Sequence, residues 1–186
     1  MRKLLAVSLL LAAAYTVASA ASFPEVTLPQ PKAYTVEDIN NQIRMEKKEK
    51  VYQATTRVIE RVFRTSGCGV DYARSAAIAA VDAGLTGVKA RLFAGLIITE
   101  SFCNPKTVSV TGDVGLTQLH AKFHRAWTVA QLLDPDTNLH IGAKELASHF
   151  RKYGLVEGLH RYNGFGNPTL DYPRAVYAHA GMAFSS

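Results

Sequence analysis

Leu96 to Pro105 reads LIITESFCNP, an apolar run that ends in a carboxylate and is stopped by Asn104-Pro105. Upstream of it, Leu92, Phe93, Leu96, Ile97 and Ile98 cover more than half the circumference of a helix from about Val88 to Glu100, so this helix is expected in the core. Leu96 and Ile97, four and three residues back, fall on the same side as Glu100 and give its carboxyl a partly apolar wall. Burial and the negative end of the helix dipole both disfavour the ionised form. A carboxyl that keeps its proton near neutral pH can serve as a general acid. A glutamate at a helix end is more often simply solvated, so the neighbouring residues must decide.

Working outward, glycine and proline divide the chain into helices. Gly67 and Gly69 precede an alanine-rich helix from Tyr72 to Ala83, which Gly84-Leu85-Thr86-Gly87 closes. Thr107 to Leu119 is partly β-branched and broken by Gly112 and Gly115, which predicts a small hairpin-like excursion. Asp134-Pro135-Asp136 marks a turn, after which Thr137 or Asn138 can cap a helix through Phe150. Shorter helices are expected over Val156 to Tyr162 and Tyr172 to Ala183. Ahead of all these, Glu37 to Phe63 lacks proline and glycine and repeats Ile39, Ile43, Val51, Ala54, Val58 and Val62 at helical steps. Its charged block, Arg44 to Lys50, reads as a solvated face.

The N-terminus reads as an export signal over residues 1–20: Arg2 and Lys3, an uncharged run from Leu4 to Ala14, then Ala18-Ser19-Ala20. That run is shorter than the ~20 residues a spanning helix needs, so no stable membrane insertion is expected after cleavage. Pro24, Pro29 and Pro31 make residues 21–36 an extended leader. The expected organisation is therefore signal 1–20, leader 21–36, amphipathic helix 37–66 and catalytic domain 67–186. Export to the periplasm or cell envelope puts Cys68 and Cys103, the two cysteines of the chain, where thiols pair, and one disulfide is predicted; two buried free thiols are the alternative.

The 186 residues are 48% hydrophobic and 19% charged, which suits one compact domain with short appendages. The formal charge is +6; without the two cations of the signal, 19 basic residues face 15 acidic ones, leaving +4. That excess suits an anionic polymer. The cations form no stripe interleaved with aromatics, so nucleic acid is not an expected partner. His120 and His124 lie one helical turn apart, but no acidic or cysteine residue stands at a metal-binding spacing from them, and neither a metal nor a cofactor is expected. Phe123 and Trp127 suit either a sugar cleft or the core.

Five blocks together carry a family resemblance. ESFCNP is similar to the E-S-x-x-N-P signature of the soluble lytic transglycosylase family, and TGDVGLTQL to its G-x-x-G-L-M-Q segment. DPDTNLHIGAKEL resembles its D-P-x-x-N-x-x-x-G-x-x-x-L helix, RYNGFGNP its Y-N-x-G segment, and YPRAV the start of its final helix. The blocks run in family order over roughly Val70 to Ala183. The resemblance implies a mainly α, lysozyme-like α+β fold with a small hairpin beside a cleft. It also implies cleavage of the β-1,4 bond between N-acetylmuramic acid and N-acetylglucosamine in peptidoglycan, with a 1,6-anhydromuramic end as product.

In that scheme Glu100 is the acid and then the base, Ser101 positions the substrate, and Gln118 bonds the glycan. Tyr162 bonds Glu100 or the substrate, and Asn163 shapes the loop beside them. Capping and turn roles are equal alternatives for Ser101 and Asn163. Thr117 replaces the family's usual methionine, which puts an apolar sugar contact in doubt, and Gly164 replaces the usual alanine. GDVGLTQL also resembles the strand of animal-type lysozymes that carries a second catalytic aspartate, so Asp113 is either a second carboxylate for hydrolysis or a turn residue. A wall-binding module without turnover is the third reading. The resemblance implies peptidoglycan glycan strands as substrate, and members of this kind often serve a secretion or conjugation complex.

Overall fold

The computed structural model describes residues 34–164 and 169–184; the expected signal and nearly all of the leader lie outside them. Among the described residues no helix is long and apolar enough to cross a membrane. Seven helices and one short hairpin make up the described part: α1 (Val36–Thr65), α2 (Ala73–Asp82), α3 (Val88–Ser101), β1 (Asp113–Val114), β2 (Leu119–His120), α4 (Val129–Leu132), α5 (Pro135–Tyr153), α6 (Leu155–Tyr162) and α7 (Asp171–His179). The mainly α expectation with one small hairpin is what the chain adopts.

The organising element is α3. Leu92, Phe93, Ala94, Leu96 and Ile97 are fully buried and Ile98 nearly so, because α1, α2 and α7 pack around this helix. A stretch apolar on every side, as Leu92 to Ile98 is, has no solvent face to keep, which makes this helix the hub of the bundle. Its close approach to α7 depends on Gly95, where a Cβ would overlap the Val176 carbonyl oxygen and sit 3.0 Å from the Ala180 amide nitrogen.

In α1, Glu37 and Asp38 lie in the first turn and Arg64 in the last, which complements the helix dipole. Its core contacts are Thr55, Ile59, Val62 and Phe63, whereas Ile39, Ile43 and Val51 are exposed. The amphipathic pattern is therefore satisfied over the C-terminal half of the helix. Lys48 and Glu49, in the charged block read as a solvated face, also tie α1 to α2 by ion pairs, Lys48 with Asp82 at 3.0 Å and Glu49 with Arg74 at 3.1 Å.

α2 ends in the predicted glycine turn: Gly84 has φ of 80°, and the Leu85 amide donates to the Ala80 carbonyl at 2.7 Å. The start of α5 differs from expectation. Asp134, not Thr137 or Asn138, is the N-cap, since its carboxylate accepts from the Thr137 amide at 2.9 Å and Pro135 follows at the first helical position.

That shift puts Asn138 inside the helix, fully buried, where it clamps the hairpin loop. Its Nδ2 donates to the Val114 and Leu132 carbonyls at 2.9 and 2.8 Å, and its Oδ1 accepts from the Thr117 amide and hydroxyl, both at 2.8 Å. β1 and β2 pair antiparallel, with Asp113 opposite His120. The turn between them needs Gly115 at φ of 79°, where a Cβ would also run into the Asn138 amide.

Candidate active site

Glu100 occupies the last turn of α3, one residue before the helix ends. The chain leaves there through Phe102 and Cys103, both left-handed at φ of 50° and 61°. Cys103 is bonded to Cys68, with their Cα atoms 5.9 Å apart, so the predicted disulfide anchors this reversal to the segment after α1. The carboxyl of Glu100 is pushed up from its ordinary 4.5 to about 7, chiefly by burial, with the negative charge of Asp113 adding to the rise. Opposing them, the Tyr172 hydroxyl donates to Glu100 Oε1 at 2.5 Å and favours the ionised form.

Tyr162 was expected to bond Glu100 or the substrate, and of these the bond to Glu100 is not made by Tyr162 but by Tyr172. The Tyr162 hydroxyl donates to the Thr117 carbonyl at 2.9 Å, while Tyr172 at the start of α7 takes the glutamate. The reason is the tight α3–α7 contact at Gly95, which brings the first turn of α7 against the end of α3. Burial holds both phenols well above their ordinary 10.0, helped by the charges of Glu145 and Glu100 at Tyr162 and of Glu100 at Tyr172, so they remain donors at any physiological pH. Replacing Tyr172 with Phe is expected to raise the Glu100 titration above about 7, because the hydrogen bond that opposes burial is lost. Carbon-13 NMR of the labelled carboxyl measures this directly; an unchanged or lower midpoint would contradict it.

Ser101 is buried, and its hydroxyl is within bonding distance of the Ile97 carbonyl at 3.0 Å and the Leu116 carbonyl at 2.9 Å, so it ties α3 to the hairpin loop. Thr117 is fully buried against Asn138 and Gly142, and does not occupy a sugar-contacting position. The substitution of methionine there therefore changes the interior of the loop.

A cleft of about 470 Å³ lies nearby; Glu100 is not one of its lining residues, but Asp113 and Tyr162, which are, interact with Glu100 by charge. Asp113, Gln118, Tyr162 and Asn163 line the cleft, with Gly164 at its edge. Gln118 spends its amide nitrogen on the Gly115 and Thr107 carbonyls, at 2.8 and 3.2 Å, which fixes its side chain in place. Asn163 is also the C-cap of α6, so the capping role and a place in the cleft coincide.

Asp113 makes the contacts of a turn residue and also lines the cleft. One of its oxygens accepts from Ser109 Oγ at 2.7 Å and Thr111 Oγ1 at 2.6 Å, and its charge acts on Glu100. Residues 165–168 of the RYNGFGNP block lie outside the described part.

Sequence reading passed over Tyr172, whose YPRAV block was noted without a role, and over Glu145 and His149, which share the cleft with His120, His124 and Phe123. No local spacing signals them: Glu145 meets His124 across 21 residues of chain. Among the described residues no group of His, Cys, Asp and Glu side chains is arranged to hold a metal ion. Phe123 lines the cleft, while Trp127 lies in a separate recess with Lys144 and His140.

An acid poised near neutrality, a charged neighbour and an adjoining groove suit proton transfer to a polymer laid across them. Comparison with known proteins agrees with that chemistry. The chain is similar to a transglycosylase of Enterobacteria phage PRD1, 34% identical over 103 residues that make up 52% of this chain and 39% of the relative. No solved structure matches it. Residues 78–183, which hold Glu100, the hairpin, the cleft and Tyr172, match the family described as Transglycosylase SLT domain. That match spans more than half of the sequence, and the chain belongs to the transglycosylase SLT domain family.

Proposed function

We propose that the chain is a peptidoglycan lytic transglycosylase that cleaves the β-1,4 bond between N-acetylmuramic acid and N-acetylglucosamine. The observation that carries this reading is a Glu100 carboxyl raised to about 7 next to two residues, Asp113 and Tyr162, that line the cleft. Protonated Glu100 gives its proton to the bridging oxygen as the bond to the muramyl C1 breaks. The carboxylate so formed removes the proton of the muramyl 6-hydroxyl, whose oxygen closes on C1 to leave a 1,6-anhydro end and restore the acid. Gln118, Tyr162 and Asn163 are proposed to hold the glycan, and Ser101 to hold the loop that carries Gln118. Action on the wall supports export by residues 1–20, and local wall opening for a secretion or conjugation complex is the proposed setting.

Asp113 favours one competing reading, a hydrolytic muramidase in which it is the second carboxylate, because it lines the cleft and acts electrostatically on Glu100. Mass spectrometry of muropeptides released from purified peptidoglycan separates the two. Anhydromuramic ends are expected from the wild type and from Asp113→Asn alike. Reducing ends from the wild type, together with loss of turnover in Asp113→Asn, would establish hydrolysis instead.

A further inference from the structure

The cleft also holds a cluster that the proposed chemistry does not use. His124 Nδ1 lies 3.0 Å from the His120 carbonyl oxygen, and a carbonyl can only accept, so Nδ1 carries a hydrogen. On the other side of the ring, Nε2 lies 3.3 Å from Glu145 Oε2. That contact is attractive only with a proton between nitrogen and oxygen; without it, a lone pair faces a carboxylate. His149 Nε2 approaches the other Glu145 oxygen at 3.9 Å.

The clasp joins α5 to a turn with a particular load. The Phe123 and His124 amides both donate to the His120 carbonyl that His124 Nδ1 also reaches, at 2.9 and 3.3 Å, so ring and turn move as one piece. Phe123 stands out from this turn, 76% exposed yet within the cleft lining, steadied by the edge of the His120 ring at a centroid distance of 4.9 Å. An exposed phenyl face in such a groove suits the apolar face of a pyranose ring.

We propose that His124 and Glu145 form a proton-held clasp that positions Phe123 as the sugar-stacking platform of the cleft. The inference rests on the glycan-cleaving reading above. Phe123 touches substrate, while His124 and Glu145 are positioning residues. The other charged or titratable groups lining the cleft are Asp113 from β1, His120 from β2, His149 from α5, and Arg161 and Tyr162 from α6. The Nε2 contact needs its proton, so the clasp holds at lower pH and opens as that proton is lost.

The test uses the full chain carrying Glu100→Gln, which prevents turnover, and soluble glycan strands stripped of peptide, titrated calorimetrically at pH 6 and pH 8. With Glu145 intact, binding is expected to weaken about tenfold from the lower pH to the higher. Glu145→Ala should bind weakly at both. Glu145→Gln should bind tightly at both, because its amide donates to Nε2 without a titrating proton. Adding Phe123→Leu to Glu145→Ala should cost nothing beyond Phe123→Leu alone, since both remove the same platform. A merely structural Glu145 would show neither the pH dependence nor this coupling.

Glycan binding by Glu145→Ala equal to that of its parent, or a Glu145→Gln variant that keeps the pH dependence, overturns the clasp and leaves the glycan reading intact. Failure of the Glu100→Gln chain to bind glycan strands at either pH overturns both.

Discussion

Glu100→Gln is expected to lower the rate of peptidoglycan cleavage by about three orders of magnitude or more, since the amide can neither give nor take the proton. The same change should make the protein more stable at neutral pH. The carboxyl titrates at about 7 in the folded chain against an ordinary 4.5, so between those values the folded state binds the proton that the unfolded state has released. Stability then falls as pH rises through this window, by roughly 3 kcal/mol in all. Below about pH 4.5 both states are protonated, and wild type and variant should converge in this respect. Thermal melts at pH 4 and pH 8 measure the difference, which should open only at the higher pH. Activity of the wild type should fall above about pH 7 as the acid form is depleted. A variant that is inactive yet no more stable at pH 8 would show that burial of Glu100 carries no energetic penalty.

The largest structural effect is expected at Asn138. Asn138→Leu keeps the size but strands the Val114 and Leu132 carbonyls and the Thr117 amide in a fully buried site. At ~1–3 kcal/mol for each unsatisfied group the loss is about 4 kcal/mol, and the melting temperature should drop by roughly 10 °C. Asn138→Asp should be worse at neutral pH, because a carboxylate then points at two carbonyl oxygens. It should recover in part at pH 4, where a protonated carboxyl can donate to one of them. Calorimetric melts of the two variants at both pH values test this ordering; a milder effect for Asp than for Leu at pH 7 would refute the clamp. The hairpin loop carries Asp113 and Gln118, so cleavage should suffer in both variants beyond what partial unfolding explains.

Local patterns made much of the fold legible. The all-round apolar character of Leu92 to Ile98 put α3 in the core, and glycine pairs marked the ends of α2 and the hairpin. Glu100 was legible less from its helix end, where a glutamate is more often solvated, than from ESFCNP and the blocks that follow it in order. Tyr172 was not, because Tyr162 stands in the more prominent motif, and the choice between the two phenols is made by how closely α3 and α7 approach at Gly95. Asn138 looked like a cap because it follows a turn; Asp134 and Pro135 had already started the helix, which turned the asparagine toward the loop. The His124–Glu145 pair joins two segments that meet only after folding.

The contact at Gly95 also bears on the order in which the site comes into being during synthesis. The carboxyl belongs to residue 100, but the phenol that tunes it arrives with residue 172, on a helix that docks backbone against backbone. A ribosome that has made the chain only as far as Gly164 has produced the cleft walls and the glutamate without that phenol. Such a nascent chain holds its carboxyl in a setting different from that of the finished protein, so a properly poised acid arises only with the late docking of α7.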